Sequence, residues 1–238
     1  MKVVGVEGSR HAVTWQASLP HGADPRVLAW DCGSVVVRPL DAIRDTDGEL
    51  VLRLAVRMIE NDPRPKERSR GRDVDLVVNA EVAPEIRQRC AAYAVVRSSR
   101  GLLATQYSDR TGVPGRWGMP GGGIDEDENP IDAVLREVME ETSQEIQLGE
   151  LVAVQSSHWI GRSPRSTIED FHAVRLIYVA TCATPSEPVV LDHGGTTAAA
   201  RWVPVSDWES IDWTVNWYDL IKQRLTEAEV VAPAVRST

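Results

Sequence analysis

Apolar positions in the first eighty residues alternate or fall in short runs. They do not recur at helical spacing. His11 to Trp15 alternates weakly. Val27 to Trp30, Ser34 to Arg38 and Glu49 to Ile59 are apolar or β-branched runs separated by Gly, Pro and Asp, and each predicts a strand. Leu50, Leu52, Leu54 and Val56 alternate with Val51, Arg53, Ala55 and Arg57, so that strand should bury one face more than the other. Val74 to Val82 predicts a further strand. Between them, Glu60 to Asp73 has almost no apolar residue and two prolines, which predicts an exposed loop.

The pattern changes near Pro84. Ala92 to Val96 and Leu102 to Tyr107 predict two strands joined by a hairpin at Ser98-Ser99-Arg100-Gly101. A glycine-rich stretch, Gly112 to Gly123, leads to an amphipathic helix over Pro130 to Thr142, with Asn129 placed to cap it. Strands follow at Leu148 to Gln155, Val174 to Thr181 and Ala200 to Val203. A last helix spans about Ser210 to Leu225, with Trp208, Trp213 and Trp217 packing it down. The organisation expected is a β-rich region over 1–83, a second unit over 84–226 and a flexible tail over 227–238.

On the central helix, Ile131, Val134, Leu135 and Val138 share one arc, which should face the core. Glu137, Glu140 and Glu141 share the opposite arc. Like charges three and four residues apart repel, and Arg136 offsets only part of that at i,i+4 to Glu140. Two readings are open: a solvated acidic face, or a carboxylate cage for a hard divalent cation such as Mg²⁺. The glycine run just before it lets backbone approach a ligand closely.

The net charge is −9, and nine acids with one arginine between Asp125 and Glu145 account for −8 of it. The acidity is therefore local to this helix. What argues against a nucleic-acid partner is the absence of a reading element, not bulk charge. No run of about 18 apolar residues predicts a membrane span. The N-terminus reaches Glu7 too early for a signal-peptide apolar region. Cys32, Cys90 and Cys182 are too few and scattered for a disulfide framework or a zinc cluster, so a reducing cytoplasm is the expected location. The five histidines show no ligand spacing either.

Gly122-x5-Glu128-x7-Arg136-Glu137-Val138-Met139-Glu140-Glu141 resembles the Nudix box, G-x5-E-x7-R-E-U-x-E-E-x-G-U with U apolar. Trp117 to Gly122 is similar to the family's lead-in, and Gly194 to Val205 to its segment before the last strand. The resemblance covers about Glu85 to Leu225. It departs at Ser143, where glycine serves a left-handed cap, and at Gln144, normally apolar and here expected to point outward.

The resemblance implies an α/β fold, a mixed sheet between helices, with an extra N-terminal, mainly β region. It implies metal-dependent hydrolysis of a nucleoside diphosphate derivative of nucleotide-sugar, ADP-ribose or (d)NTP type, with Mg²⁺ or Mn²⁺ as cofactor. By position, Glu137 and Glu141 would be metal ligands, Glu140 a ligand or the base, and the Gly121 carbonyl a further ligand. Glu128 and Gly122 would support them, and Arg136 would hold a carboxylate in place. Glu169 and Asp170 are alternative bases from a downstream loop. Trp117, Tyr107, Trp159 and His172 are candidates for substrate contact, with ordinary packing as the alternative for each. The substrate marks of the family's subgroups, such as a proline or tyrosine one strand past the box, do not occur near Trp159. Residues 1–83 could mediate a homodimer, close over substrate, or simply pack on the catalytic unit. The rival functions are a nucleotide-sensing module on the same fold, and an isomerase, which would need a cysteine motif that is not present.

Overall fold

The computed structural model describes residues 1–7, 12–66, 70–73, 76, 83–163 and 167–231, with side chains described up to 225. In chain order its elements are β1 (Lys2–Glu7), β2 (Ala12–Ser18), α1 (Pro25–Asp31), β3 (Ser34–Arg44), β4 (Leu50–Met58), β5 (Gly71–Arg72), β6 (Glu85–Ser98), β7 (Gly101–Tyr107), β8 (Trp117–Gly118), β9 (Gly121–Gly123), α2 (Pro130–Thr142), β10 (Gln147–Arg162), β11 (Ile168–Thr181) and β12 (Thr197–Val203). A 3-10 turn, Val205–Ser210, then precedes α3 (Val215–Val231). The expected mixed sheet between helices, with an added N-terminal β region, is what the chain forms.

Two sheets form among the described residues. The smaller runs β2-β1-β4-β3, and the larger β12-β7-β6-β11-β10-β5. The larger sheet is mixed, with β6 parallel to β11 and β11 antiparallel to β10. β5 lies within the first 83 residues yet pairs with β10 of the larger sheet.

Alternation along the central strands divides the core in two. Ala92, Ala94, Val174 and Leu176 face Val134 and Val138 of α2 and Val3, Leu52 and Leu54 of the smaller sheet. Val95, Leu102, Ala104 and Ile177 face Trp213 and, on α3, Trp217, Leu220 and Ile221. Removing each of these valine, leucine and isoleucine side chains from water stabilises by about 1.5–3 kcal/mol, and the alanines contribute less.

One local feature matters for function. β6 and β7 pair only beside their turn, at Arg97–Leu102 and Ser98–Gly101. Beyond that they part. β9 pairs with β6 across Ala91 to Tyr93, and β8 pairs with β7 at Thr105 and Gln106. The glycine segment is thereby hydrogen-bonded into the split, directly ahead of α2.

Several expectations are corrected. Val27 to Trp30 is not a strand but part of α1, begun by Asp24, whose side chain accepts from Arg26 N, and by Pro25 in the first turn. Asn129 precedes α2 without a side-chain cap; its Oδ1 instead accepts from the backbone N–H of Arg44 at 3.0 Å. Ile131 and Leu135 are exposed, and the buried stripe of α2 is Ala133, Val134, Val138, Glu141 and Thr142. The last helix begins at Val215, later than its periodicity indicates, and its backbone continues to Val231, into the stretch read as tail. The strand expected over 74–82 lies outside the described residues except for Leu76, which is buried.

Ser143 takes the left-handed conformation that glycine serves in the family, with φ 55°, and its N–H reaches Met139 O at 2.8 Å. Gln144 does not point outward but is buried. Its Nε2 donates to Thr142 O at 3.1 Å and Ser186 Oγ at 2.9 Å, and its Oε1 accepts from Ser186 N at 3.0 Å. Gln144→Leu, which restores the apolar residue of the box, should therefore destabilise the protein by about 1–3 kcal/mol, because Ser186 N–H loses its buried partner. Urea denaturation measures this; an unchanged or higher midpoint would show that the side-chain bonds do not matter.

Candidate active site

The glutamates of α2 reach a cleft of about 470 Å³ where β6 and β7 part. Glu137, Glu140 and Glu141 line it together with Gly121, Gly122 and Gly123. On the opposite wall, Ala91 and Tyr93 of β6 and Phe171, Ala173 and Arg175 of β11 project from one face of the sheet. Tyr107, Trp159, Arg89 and Asp192 are among the other residues that line it. A larger groove of about 520 Å³ beside α3 is mainly apolar and carries no carboxylate, so it does not offer this chemistry.

Arg136 organises the acids. Its Nε and Nη2 donate to the two oxygens of Glu128, each at 2.9 Å. Its Nη1 donates to Glu137 at 3.0 Å and Glu140 at 3.1 Å, and Nη2 also reaches Gly123 O at 3.2 Å. The bidentate pair pulls the Glu128 carboxyl below the ordinary carboxylate range. The loop carrying Glu128 is held from the N-terminal layer as well. Arg44 of β3 donates to the carbonyls of Glu128 at 3.1 Å and Asp125 at 3.2 Å.

Glu141 is held differently. Among the described residues, Arg136 does not bond to it. One carboxylate oxygen accepts from Gly121 N at 2.9 Å, and the other accepts a hydrogen bond from the Thr197 hydroxyl. Burial, with Glu137 and Asp192 adding negative charge nearby, pushes its pKa up to about 7 despite those donors. Burial also raises Glu137, partly opposed by Arg136. A Cβ at Gly122 would lie 2.5 Å from the Glu137 carboxyl carbon, so a larger residue there would push that carboxyl out of its present position.

The segment before β12 docks on the end of α2. Val189 N donates to Thr142 O at 3.1 Å, and Leu191 N and Asp192 N donate to Glu140 O at 2.7 and 3.1 Å. This docking brings Asp192 to the cleft.

The structure thus gathers Glu137, Glu140, Glu141, Arg136, Gly121, Gly122, Tyr107 and Trp159 at one cleft, with Glu128 joined through Arg136. Four other predicted residues stand apart. Trp117 packs near α3, with the Arg201 guanidinium 4.2 Å from its ring centre. Glu169 is buried and pairs with Arg87 at 2.9 Å. Asp170 and His172 project to the face of β11 opposite the cleft. His172 is fully buried and hydrogen-bonded to Ser156 Oγ at 2.9 Å; burial, with His21 and His158 beside it, pushes its pKa down to about 4. Arg89, Arg175, Phe171 and Asp192 escaped the sequence reading. Asp192 lies two residues before Gly194, and that proximity to a glycine loop was the one local signal available.

Aromatic side chains, arginines and the glutamates of α2 thus line one cleft behind a glycine loop. The NUDIX domain profile matches residues 87–224, so the chain belongs to the Nudix family. It is similar to the chloroplastic Nudix hydrolase 26 of Arabidopsis thaliana, 38% identical over 80 residues that cover 34% of each chain. It is also similar to a MutT-like protein of Streptomyces ambofaciens, 38% identical over 72 residues, 30% of this chain and 44% of that one. The chain therefore matches less than half the length of these two relatives. Among solved structures, the MutT protein from Methanosarcina mazei Go1 superposes with a TM-score of 0.47 at 16% identity, covering 62% of this chain and 99% of that one.

The raised Glu141 carboxyl predicts a pH effect. Between its ordinary value of 4.5 and about 7 the native state holds a proton that the unfolded chain releases. Stability of chelator-treated protein should therefore fall as pH rises through that window. Thermal melts at about pH 5 and about pH 8 should differ less for Glu141→Gln than for the parent chain. Equal differences in both proteins would refute the assignment.

Proposed function

We propose that the protein is a metal-dependent pyrophosphohydrolase acting on a nucleoside diphosphate derivative of nucleotide-sugar, ADP-ribose or (d)NTP type. The observation that carries this reading is Glu141, a buried carboxylate in a shared acidic cluster that Arg136 does not reach and that has no cationic partner among the described residues. Buried charge calls for compensation, and oxygen donors from Glu137 and Glu141 with the Gly121 carbonyl suit Mg²⁺ or Mn²⁺, Glu140 being either a further ligand or the base. A bound cation of this kind supplies positive charge opposite the diphosphate oxygens.

The chain's own residues do the rest. Arg89 and Arg175 hold phosphate oxygens, and Tyr93, Tyr107, Trp159 and Phe171 offer flat surfaces to the nucleoside. Trp159 and Phe171 already pack with ring centres 4.5 Å apart. Glu140 keeps a side chain 44% exposed, so it can accept the proton of the water that attacks phosphorus. Glu128 and Arg136 keep the ligands aimed, and Gly122 leaves room for Glu137. Asp192 is the other acid that the cleft presents for the proton-accepting role. The catalytic unit in this reading is 84–226. Residues 1–83 steady its loop through Arg44, and a reducing cytoplasm suits the free thiols of Cys32, Cys90 and Cys182.

A panel of ADP-ribose, nucleotide sugars, dNTPs and dinucleoside polyphosphates, assayed with Mg²⁺ or Mn²⁺, should show turnover that Glu141→Gln lowers by about 10²–10⁴-fold. Nucleotide binding without turnover under either metal would replace hydrolysis by a sensing role. Glu140→Gln should lower kcat far more than it changes KM. If Asp192→Asn shows that loss instead, Asp192 is the base.

A further inference from the structure

A second cluster of metal-ligating side chains lies on the face of the larger sheet opposite the cleft. His21 sits in the turn between β2 and α1, His158 on β10 and Asp170 on β11. His21 Nε2 is 3.0 Å from Asp170 Oδ1, and His158 Nε2 bonds to that same oxygen. One ligand atom from each of the three residues lies within 4.8 Å of the other two.

We propose that His21, His158 and Asp170 form a binding site for a borderline divalent transition-metal ion of the Zn²⁺ type, and that the bound ion fastens the N-terminal layer to the Nudix domain.

The donor set distinguishes this site from the carboxylate cluster. Two imidazoles and one carboxylate favour Zn²⁺ and similar ions over Mg²⁺, which prefers oxygen ligands and keeps its waters. Bonds of about 2.0–2.1 Å in a tetrahedron place ligand atoms about 3.3 Å apart, so small side-chain rotations would admit the ion. The three side chains are 24%, 18% and 16% exposed, which shelters the site and still leaves a fourth position for water.

Surrounding residues support the arrangement. Arg70 Nη2 donates to Asp170 Oδ2 at 2.8 Å and holds the second oxygen, leaving Oδ1 toward the imidazoles. The Nδ1 atom of His21 is buried without a hydrogen-bond partner among the described residues, so no protein group there fixes its tautomer against coordination through Nε2. Gly22 has φ +79°, and a Cβ on it would lie 2.5 Å from His158 Nδ1. Only glycine lets the turn close onto that ring. His172, directly across from His158 in the β10–β11 register, adds a third imidazole beside the site.

The test uses the full chain carrying Glu137→Gln, Glu140→Gln and Glu141→Gln, which removes the three α2 carboxylates from the cleft, after removal of metal by chelation. Titration calorimetry with Zn²⁺ should give one equivalent of tight binding, and Zn²⁺ should raise the melting temperature. Co²⁺ should give the intense visible absorption of a four-coordinate nitrogen-containing site. Adding His21→Gln should weaken Zn²⁺ binding by at least about 100-fold and abolish the thermal shift. His158→Gln should do the same, and Gly22→Val should weaken binding without removing a ligand. Should His21→Gln fold poorly, the Co²⁺ spectrum of the chain lacking the three α2 carboxylates still decides. Absence of tight Zn²⁺ binding, a six-coordinate all-oxygen Co²⁺ spectrum, or Zn²⁺ binding unchanged in folded His21→Gln would each overturn the proposal.

Discussion

Glu137, Glu140 and Glu141 occupy little more than one turn of α2, and their mutual repulsion is the constraint to which the rest of the catalytic unit answers. Arg136 lies within the same turn and ties Glu137 and Glu140 to Glu128 and to the glycine loop. A guanidinium can do this because its donors fan out in a plane; an ammonium could not span the same partners. Glu141 lies outside that arrangement, in the buried stripe of the helix, and depends on Gly121 N–H and Thr197. Repulsion among the acids is thus only partly cancelled. The remainder is unbalanced negative charge gathered at one wall of the cleft.

The sheet makes this arrangement reachable. If β6 and β7 paired along their whole length, the glycine segment would have no edge to join. Their separation lets Gly121 to Gly123 complete the ladder with β6 and still present backbone to the helix. The same alternation that sends Ala92 and Leu176 into the core beneath α2 sends Tyr93 and Arg175 into the cleft. Core and site are therefore two faces of the same strands. The N-terminal layer contributes to both, through Leu52 and Leu54 in the core and Arg44 at the loop.

How much of this is legible in the sequence differs by element. The bounds of α2 follow from Pro130 and from the box, because those signals are local. Strand β4 follows from a β-branched and apolar run in which Leu50, Leu52, Leu54 and Val56 mark the more buried face. Val27 to Trp30 misleads because four apolar residues carry no period; Asp24 and Pro25, just upstream, are the informative ones. Gln144 misleads because its partner, Ser186, is 42 residues away. Ile131 and Leu135 belong to the apolar arc by angle alone, yet no layer covers that side of the helix among the described residues. Arg89, Arg175 and Asp192 are set only by strand order and loop docking, which a linear pattern does not encode. The same holds for His21, which meets His158 and Asp170 across 137 and 149 residues of chain.

The docking of Val189, Leu191 and Asp192 onto the last carbonyls of α2 has a mechanical side. Those carbonyls would otherwise face solvent at the helix end, and the amides that satisfy them come from the strip of chain that also carries Asp192 into the cleft. Swinging this strip outward would break three backbone hydrogen bonds at once and expose the carbonyl of Glu140 itself. Helix and strip are thus a single rigid jaw. The facing wall is held through its backbone as well, because Trp159 and Phe171 are opposed residues of the β10–β11 ladder with ring centres 4.5 Å apart, so what can shift at the cleft mouth is side-chain rotation rather than strand movement.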